Sequence, residues 1–267
     1  VDDVLGLSGE DRHDEVVERY YELRQRKGVT RADARSEMKH RESYGLMMLR
    51  SGRADGLLSG VNKPYRETLE PALEIIGVEE SINRASGAYI VMSEDGAKFF
   101  ADTTVNISPD AETLAEIAIN TADLALAFDM EPTVAMLSYS NFGTSDHRYA
   151  RQMARATKIV KSKRPDLEVD GEMQIDVAID EKLREETFGF AEIDSDANVF
   201  VFPNLDAGNI GYKLMYKLAG AEVIGPILLG MDQPVNVLAL GSSVNSIVNL
   251  AVITALKARV DWQQPPE

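Results

Sequence analysis

TVAMLSYSNFGTSDHRYARQMARATKIVKSK, residues 133–163, carries the pattern that decides the fold. It opens with a strand-like run at residues 133–140, and the apolar start of that run is typical of a strand buried on both faces of a sheet. A helical pattern follows at residues 147–163, with apolar side chains at three- and four-residue spacing. Strand, polar loop and helix in this order predict one unit of an α/β fold.

The same alternation continues along most of the chain, which predicts α/β layers around a largely parallel or mixed sheet. Further strand-like runs occur at residues 55–59, 88–92, 98–101, 198–202 and 235–239. Helical patterns occur at residues 14–26, 31–50, 67–76, 111–128, 174–186, 209–218 and 243–257. In open α/β sheets ligands bind at the carboxyl ends of the strands, so we expect functional residues in the segments that follow the strands.

Composition excludes several classes of function. The 267 residues include no cysteine, which rules out a disulfide framework, a thiolate metal site and a catalytic thiol. A formal net charge of -16 repels nucleic acid and anionic lipid, so neither is an expected partner. The longest apolar stretch, at residues 223–229, is too short to span a bilayer, and we expect a cytoplasmic protein.

The loop after the strand-like run at residues 133–140 is rich in small polar residues. Its candidate ligand-binding residues are Ser138, Ser140, Gly143, Thr144 and Ser145. Hydroxyl groups and free backbone N–H groups at a helix N-terminus suit a phosphate or another anion. A polar turn with an N-cap explains the same residues, and this segment alone slightly favours that explanation.

A second polar group follows the run at residues 198–202, where Asn204, Asp206 and Asn209 are candidate ligand-binding residues. These side chains could equally cap the next helix, and composition does not separate the two roles. After residues 55–59 comes a basic pair, Lys63 and Arg66, which is unusual in so acidic a chain.

Metal and nucleotide signatures are weak. The three histidines, His13, His40 and His147, have no partner at ligand spacing, so no metal site is expected. The acidic run at residues 172–176 could attract a hard cation, but the end of a strand and the start of a helix explain it better. Neither a G-x-G-x-x-G pattern nor a P-loop lysine occurs.

Five longer segments together carry a family resemblance. They are FADTTVNISPDAETLAEIAINTAD (100–123), VAMLSYSNFGTS (134–145), DLEVDGEMQIDVAI (166–179), ANVFVFPNLDAGNIGYKL (197–214) and AEVIGPILLGMDQPVN (221–236). In these segments the chain resembles the phosphate acetyltransferase family from about residue 19 to residue 259. YYELRQRKGVTRADAR (20–35), SNFGTSD and VDGEM resemble the version fused behind an NADP-dependent malic enzyme. Stand-alone members tend to have S-T-K-G-S where this chain has SNFGT, residues 140–144.

The resemblance implies a two-lobed fold like that of isocitrate and isopropylmalate dehydrogenases, with an interlobe cleft and a homodimer interface. The first lobe would comprise residues 1–81 with 227–267, and the second lobe residues 82–226. The family's first strands, which precede the segment at residues 20–35, are expected to be missing here.

The resemblance also indicates a changed catalytic pattern. Family members use a serine–arginine pair and an aspartate six positions after the arginine, and these positions hold Ala239, Leu240 and Ser246. A further binding arginine is replaced by Glu70, whereas Arg24 matches a retained one. A thiol needs a base and a phosphate needs a fixed cation, so we expect no catalytic residue in this chain and little acetyl transfer.

The leading hypothesis from sequence is therefore a regulatory domain of an NADP-dependent malic enzyme that binds acetyl-CoA or acetyl phosphate in a degenerate site. NADP and a divalent metal would belong to the missing malic enzyme region, and a larger homo-oligomer to the full enzyme. Two alternatives stay open. One is an active phosphate acetyltransferase, and the other is a structural module that only dimerises.

Overall fold

The computed structural model describes residues 10–259, in which helices and strands alternate. The helices are α1 (Glu10–Arg24), α2 (Arg31–Glu37), α3 (Arg41–Arg50), α4 (Tyr65–Ile75), α5 (Ala111–Leu126), α6 (Arg148–Lys163), α7 (Ile175–Ala178), α8 (Glu181–Phe188), α9 (Leu205–Lys217) and α10 (Val244–Lys257). The strands are β1 (Leu57–Gly60), β2 (Ser86–Ser93), β3 (Gly96–Ala101), β4 (Thr133–Leu137), β5 (Glu168–Met173), β6 (Val199–Val201), β7 (Glu222–Leu229) and β8 (Val235–Leu238).

The described residues form two compact units. The first unit contains residues 10–79 and 231–259, and the second unit contains residues 80–230. The predicted α/β class with parallel and mixed strand pairing is confirmed. The likeness to isocitrate and isopropylmalate dehydrogenases, with its cleft, remains a prediction from the resemblance.

The second unit is built on a six-stranded mixed sheet with strand order β5-β4-β6-β3-β2-β7. The strands β5, β4, β6 and β3 run parallel to one another, and β2 is antiparallel to both of its neighbours. The carboxyl ends of the four parallel strands therefore meet at one edge of the sheet, which we call the carboxyl edge. Parallel strands need crossover connections, and the helices between them supply these.

Both faces of this sheet are covered, which explains the apolar character of its strands. Helices α5 and α6 pack on one face, where Phe99 contacts Phe128 with ring centroids 6.4 Å apart. On the other face Phe100 lies edge-on to Phe200, and Tyr89 stacks on Tyr212 of α9 at 4.0 Å. Alternate residues of a strand point to opposite faces, so neighbouring phenylalanines of β3 anchor two separate helix layers.

The first unit has a two-stranded parallel sheet, β1 beside β8, with helices α3, α4 and α10 packed around it. Its core includes the fully buried side chains of Met38 and Leu46. Asn236 is buried within β8, and its Nδ2 donates a hydrogen bond of 2.9 Å to the Thr254 hydroxyl of α10. This bond satisfies a buried amide and joins the strand to the helix.

The structure differs from the sequence prediction in two strands and two helices. Of strand β5 only the end was predicted, at residues 172–176, because buried Asp170 and Glu172 interrupt its apolar pattern. Strand β7 was not predicted because it contains Gly225 and Pro226. The helix predicted at residues 31–50 is divided by a turn at residues 38–40 into α2 and α3. The helix predicted at residues 174–186 is likewise α7 and α8, because the Asp180 carboxylate caps a new helix by accepting from the Leu183 N–H.

Gly208 allows α9 to approach the end of β3, which gives a test of this packing. A Cβ atom at Gly208 would lie 2.2 Å from the Asp102 backbone oxygen, whereas one at Gly211 would meet only the Phe202 ring at 3.2 Å. We expect Gly208→Ala to lower the free energy of unfolding by about 1–3 kcal/mol, because backbone atoms cannot move aside easily.

Gly211→Ala is the matched control on the same helix. It brings the same gain in helix propensity, up to about 1 kcal/mol, against a side chain that can shift. Urea unfolding of both variants measures the difference. A Gly208→Ala variant as stable as Gly211→Ala would contradict the close approach.

Candidate functional site

The loop after β4 folds around a buried carboxylate at the carboxyl edge. Glu172, in β5, is 2% exposed. Its Oε1 accepts hydrogen bonds from the Ser140 hydroxyl at 2.9 Å and from the Gly143 N–H at 2.7 Å. Its backbone oxygen accepts from the Phe142 N–H at 2.8 Å. Glu172 is therefore an anion of the protein itself. It accepts hydrogen bonds from groups that the sequence analysis expected to bind a phosphate or another anion.

The remaining polar groups of this loop bond chiefly to one another. The Ser140 hydroxyl accepts from the Ser145 N–H at 3.0 Å and lies 3.1 Å from the Thr144 hydroxyl. The Ser138 hydroxyl accepts from the Ser140 N–H at 3.2 Å. The structure thus brings all five predicted loop residues together, and their hydrogen bonds run to one another and to Glu172.

An aromatic cluster supports the same loop from outside. Phe142 has a φ of 46°, in the left-handed region that residues other than glycine seldom adopt. Its ring lies 5.3 Å from that of Phe188 and 5.1 Å from that of Phe190, which is 65% exposed. The position where the resemblance expects lysine in stand-alone members is therefore filled here by a packed aromatic ring.

The loop after β6 uses its predicted residues in three different ways. The Asn204 side chain caps α9 by accepting from the Ala207 N–H at 3.0 Å. Asn209 Nδ2 donates to the backbone oxygen of Thr103 at 3.1 Å, so it joins α9 to the loop after β3. Asp206 lies exposed in the first turn of α9.

A second buried carboxylate, Asp102, was missed from sequence. It follows β3 directly and is 1% exposed. Its Oδ1 accepts from the N–H groups of Gly87, Thr104 and Val105, and its Oδ2 accepts from both the backbone and the side chain of Asn106. Burial raises the pKa of Asp102, and the donated hydrogen bonds act against that rise.

A sequence signal for both residues existed. Asp102 comes directly after the apolar strand-like run at residues 98–101, and Glu172 lies in the acidic run that the sequence places at the end of a strand. A buried carboxylate in either place requires a set of donors. Asp102 is followed by Thr103, Thr104 and Asn106, and Glu172 is faced by the serine-rich loop. For Glu172 the sequence offers the donors, but it does not show that two segments more than 25 residues apart come into contact.

In the first unit the retained arginine forms an ion pair. Arg24, at the end of α1, lies 2.9 Å from Glu74 of α4, and its side chain is 18% exposed. Its Nε is buried and finds no acceptor among residues 10–259. Burial raises the pKa of the neighbouring Tyr20, which keeps that hydroxyl protonated beside the guanidinium.

The basic residues that follow β1 are also paired. Lys63 lies 3.0 Å from Glu42, and Arg66 lies 2.6 Å from Glu70, one helical turn away. Glu70 therefore neutralises a neighbouring cation at the position where the resemblance expects a binding arginine.

The segment after β8 holds the positions that the resemblance assigns to catalysis. Leu240 is 67% exposed, and the Gly241 N–H donates to the backbone oxygen of Val61 at 2.9 Å. Ser243 caps α10 by accepting from the Ser246 N–H at 3.1 Å, and the two hydroxyls lie 2.9 Å apart. The Ser242 hydroxyl donates to the Ala239 backbone oxygen at 2.7 Å. These serines thus stabilise the turn and the start of the helix.

Residues 10–259 contain no group of three or more histidine, aspartate or glutamate side chains placed to hold a metal ion. No helix in that range combines the length and apolar character needed to cross a membrane.

Comparison with known proteins gives a consistent result. Residues 4–255 match the sequence profile of a family described as phosphate acetyl/butaryl transferase. The chain belongs to this family. It is 42% identical over 245 residues to a phosphate acetyltransferase of Bacillus subtilis, covering 92% of this chain and 76% of that protein. A phosphate acetyltransferase of Thermoanaerobacterium thermosaccharolyticum is 40% identical over 256 residues.

Solved structures of phosphotransacetylases agree. The chain is similar to one from Streptococcus pyogenes with a TM-score of 0.88 and 39% identity, covering 92% of this chain and 75% of that one. It is similar to one from Staphylococcus aureus with a TM-score of 0.84 and 37% identity, covering 96% and 77%.

The hypothesis of a malic enzyme regulatory domain is wrong. The two relatives are named phosphate acetyltransferases, and this chain matches each of them over about three quarters of its length. The expected activity, oxidative decarboxylation with NADP, belongs to another class of protein. The assignment relied on short segments such as SNFGTSD, and those do not outweigh the match along the whole chain. NADP and a divalent metal were expected only in the attached region and lose their basis with it.

The dependence of the β4–α6 loop on Glu172 is testable. Glu172→Leu leaves the Ser140 hydroxyl and the Gly143 N–H without their acceptor, at about 1–3 kcal/mol for each buried group. We expect a lower free energy of unfolding in urea and faster hydrogen exchange at residues 138–145.

Glu172→Gln is the matched variant, because its amide oxygen can still accept both hydrogen bonds. We expect it to lose less than half as much stability as Glu172→Leu. Equal losses of stability in the two variants would contradict this account. They would show that Glu172 stabilises the loop through the shape of its side chain and not through the hydrogen bonds that it accepts.

Proposed function

We propose that this chain transfers an acetyl group between the thiol of coenzyme A and inorganic phosphate. The observation that carries the proposal is the match to phosphate acetyltransferases at 42% identity over 92% of the chain. The family profile matches residues 4–255, which include the strand-end loops of the second unit and the segment after β8. Acetyl-CoA, acetyl phosphate, CoA and phosphate are the proposed ligands.

The reaction places two demands on the protein. Attack by the CoA thiol on acetyl phosphate needs a group that accepts the thiol proton, and the phosphate needs positive charge or N–H donors directed at its oxygens. Arg24 is the proposed phosphate-binding cation, because it matches a family arginine and keeps a buried Nε–H without an acceptor in the described residues. The predicted loop residues, from Ser138 to Ser145, and the group Asn204, Asp206 and Asn209 remain proposed binding residues.

The residues of the segment after β8 affect the expected rate of acetyl transfer. Ala239, Leu240 and Ser246 occupy the positions of the family's serine, arginine and aspartate, so the proposed reaction proceeds here without those three side chains. Losing a positioned base costs about 10²–10⁴-fold in rate, and losing a charge-stabilising donor costs about 10²–10³-fold. The proposed activity is therefore slower than that of relatives that retain these residues.

The direct test follows thioester formation from acetyl phosphate and CoA with the purified chain, alongside Arg24→Ala. We expect measurable turnover, and a KM for acetyl phosphate at least about 10-fold higher in the variant, because an arginine–phosphate pair is a strong charge-assisted contact. Arg35→Ala is the control, since Arg35 is exposed and lies 3.4 Å from Asp14. Absence of turnover in a folded chain that binds CoA by calorimetry would refute acetyl transfer while leaving CoA binding intact.

A second test restores the family's residues. We expect the triple variant Ala239→Ser, Leu240→Arg, Ser246→Asp to raise kcat by about 10²-fold or more, since it supplies both a cation and a base. Exposed Leu240 leaves room for arginine, and an aspartate at position 246 lies in the first turn of α10, where negative charge is favourable.

Leu256→Arg is the matched control for the triple variant. It adds an arginine at a 41% exposed leucine near the opposite end of the same helix. An equal rise in kcat from this control, or no rise from the triple variant, would contradict the assignment of the three positions.

A further inference from the structure

The charged side chains of helix α6 are all positive. Its sequence, RYARQMARATKIVKSK, contains six lysines and arginines and no aspartate or glutamate. Four exposed members of this set lie at positions i, i+3, i+7 and i+10 of the helix: Arg148, Arg151, Arg155 and Lys158. At 3.6 residues per turn they form one line about 15 Å long, which we call the α6 cationic stripe.

The apolar side of α6 is opposite the α6 cationic stripe and is buried. Ala150, Met153 and Val160 are each 0% exposed, and the helix packs against β4, β5 and α5. The α6 cationic stripe therefore faces away from the sheet of the second unit, on the outer surface of the helix.

Other helices balance their exposed cationic side chains with acids one turn away. On α1 Arg19 lies 2.7 Å from Glu15, and on α4 Arg66 lies 2.6 Å from Glu70. Pairs at this spacing cancel the charge of a helix surface. Because α6 contains no acidic residue, no such pair forms along it.

The two middle members of the α6 cationic stripe meet carboxylates from outside the helix. Arg151 lies 3.1 Å from Asp146, and Arg155 pairs with Glu112. All four side chains are at least 51% exposed. Exposed ion pairs are weak, so an incoming carboxylate can replace Asp146 or Glu112 at little cost.

The two end members form no ion pair with the described residues. Arg148 donates a hydrogen bond of 2.8 Å to the Tyr149 hydroxyl, and its guanidinium carbon lies 4.7 Å from the centre of the same ring. Lys158 is exposed, with no carboxylate partner among residues 10–259. Four cationic side chains beside two carboxylates are a local excess of positive charge in a chain whose net charge is -16.

We propose that the α6 cationic stripe binds a short acidic segment of a partner protein. The argument is charge complementarity along a line. Arginine binds a carboxylate through two parallel hydrogen bonds, and three of the four side chains are arginines. A segment with carboxylates spaced over about 15 Å meets every member of the line, whereas a compact anion reaches only adjacent ones.

Two other classes of anionic partner fit this surface less well. A helix that binds a membrane combines basic residues with an exposed apolar face, and the apolar face of α6 is buried. Nucleic acid would extend past the α6 cationic stripe and meet the negative charge of the rest of the chain. A short segment avoids this repulsion, because charges more than roughly 8 Å away are largely screened at physiological ionic strength.

The proposal does not depend on acetyl transfer, and a designed peptide tests it. The probe is a fluorescein-labelled, alanine-rich peptide of about 15 residues, with four glutamates at intervals of three, four and three residues. By fluorescence anisotropy in about 50 mM NaCl we expect saturable binding to the purified chain below about 1 mM. Absence of saturable binding at that concentration overturns the proposal.

Charge reversal tests whether the α6 cationic stripe is the binding surface. For the double variant Arg151→Glu, Arg155→Glu we expect a Kd at least about 10-fold higher, because like charges then face the glutamates. Arg19→Glu, Arg31→Glu is the matched control, since both arginines are exposed and each pairs with one carboxylate in the first unit. The control should stay within about 3-fold of the parent Kd, with circular dichroism unchanged. An equal loss in both double variants overturns the assignment to α6.

Two further probes test the shape and class of the partner. A peptide of the same composition with its four glutamates consecutive at one end should bind at least about 3-fold more weakly, because it reaches only part of the line. Equal affinity of the two peptides overturns the linear arrangement. Tighter binding of a DNA duplex of about 15 base pairs, or of vesicles with about 30% phosphatidylglycerol, than of the spaced peptide overturns the assignment to an acidic protein segment.

Discussion

Two buried carboxylates at the carboxyl edge set the shape of the second unit. A carboxylate without water must be surrounded by donors, since its desolvation is otherwise too costly. Asp102 gathers five donated hydrogen bonds from residues 87 and 104–106, and Glu172 gathers the loop after β4. Asp102 ties the start of β2 to the turn that follows β3, Glu172 connects β5 to a loop about 30 residues earlier in the chain, and each holds a strand-end loop in one conformation.

The same requirement limits what these loops can bind. Glu172 already accepts from Ser140 and Gly143, and its negative charge would repel a phosphate brought to those same donors. An anion at this loop would have to use outward-facing groups or displace the carboxylate. The donors of the loop after β4 that face Glu172 are therefore poor candidates for a phosphate contact, and the proposed phosphate contact is assigned to Arg24 instead.

The fold was largely predictable from sequence, because strand and helix alternation depends on local apolar patterns. Thr30 illustrates this: it forms a capping box with Asp33, three residues later, so the start of α2 depends on a pattern contained in four residues. Strand β5 was not predictable in that way, since its Asp170 and Glu172 are buried only because donors arrive from other segments. The grouping of Ser138–Ser145 was predictable, but the partner that satisfies those groups was not.

The paired cationic side chains of the first unit likewise could not be predicted from local sequence patterns. Lys63 and Arg66 read as a basic patch in the sequence, yet Glu42 and Glu70 lie within 3.0 Å and 2.6 Å of them. Glu42 lies more than 20 residues from Lys63, so no local pattern could reveal that pairing. In a chain with a net charge of -16 most cationic side chains will pair with a carboxylate. A cationic side chain that retains an unsatisfied donor, as Arg24 does, is therefore the more informative signal of a ligand contact. That is why the proposed phosphate contact is placed on Arg24 and not on the more conspicuous patch.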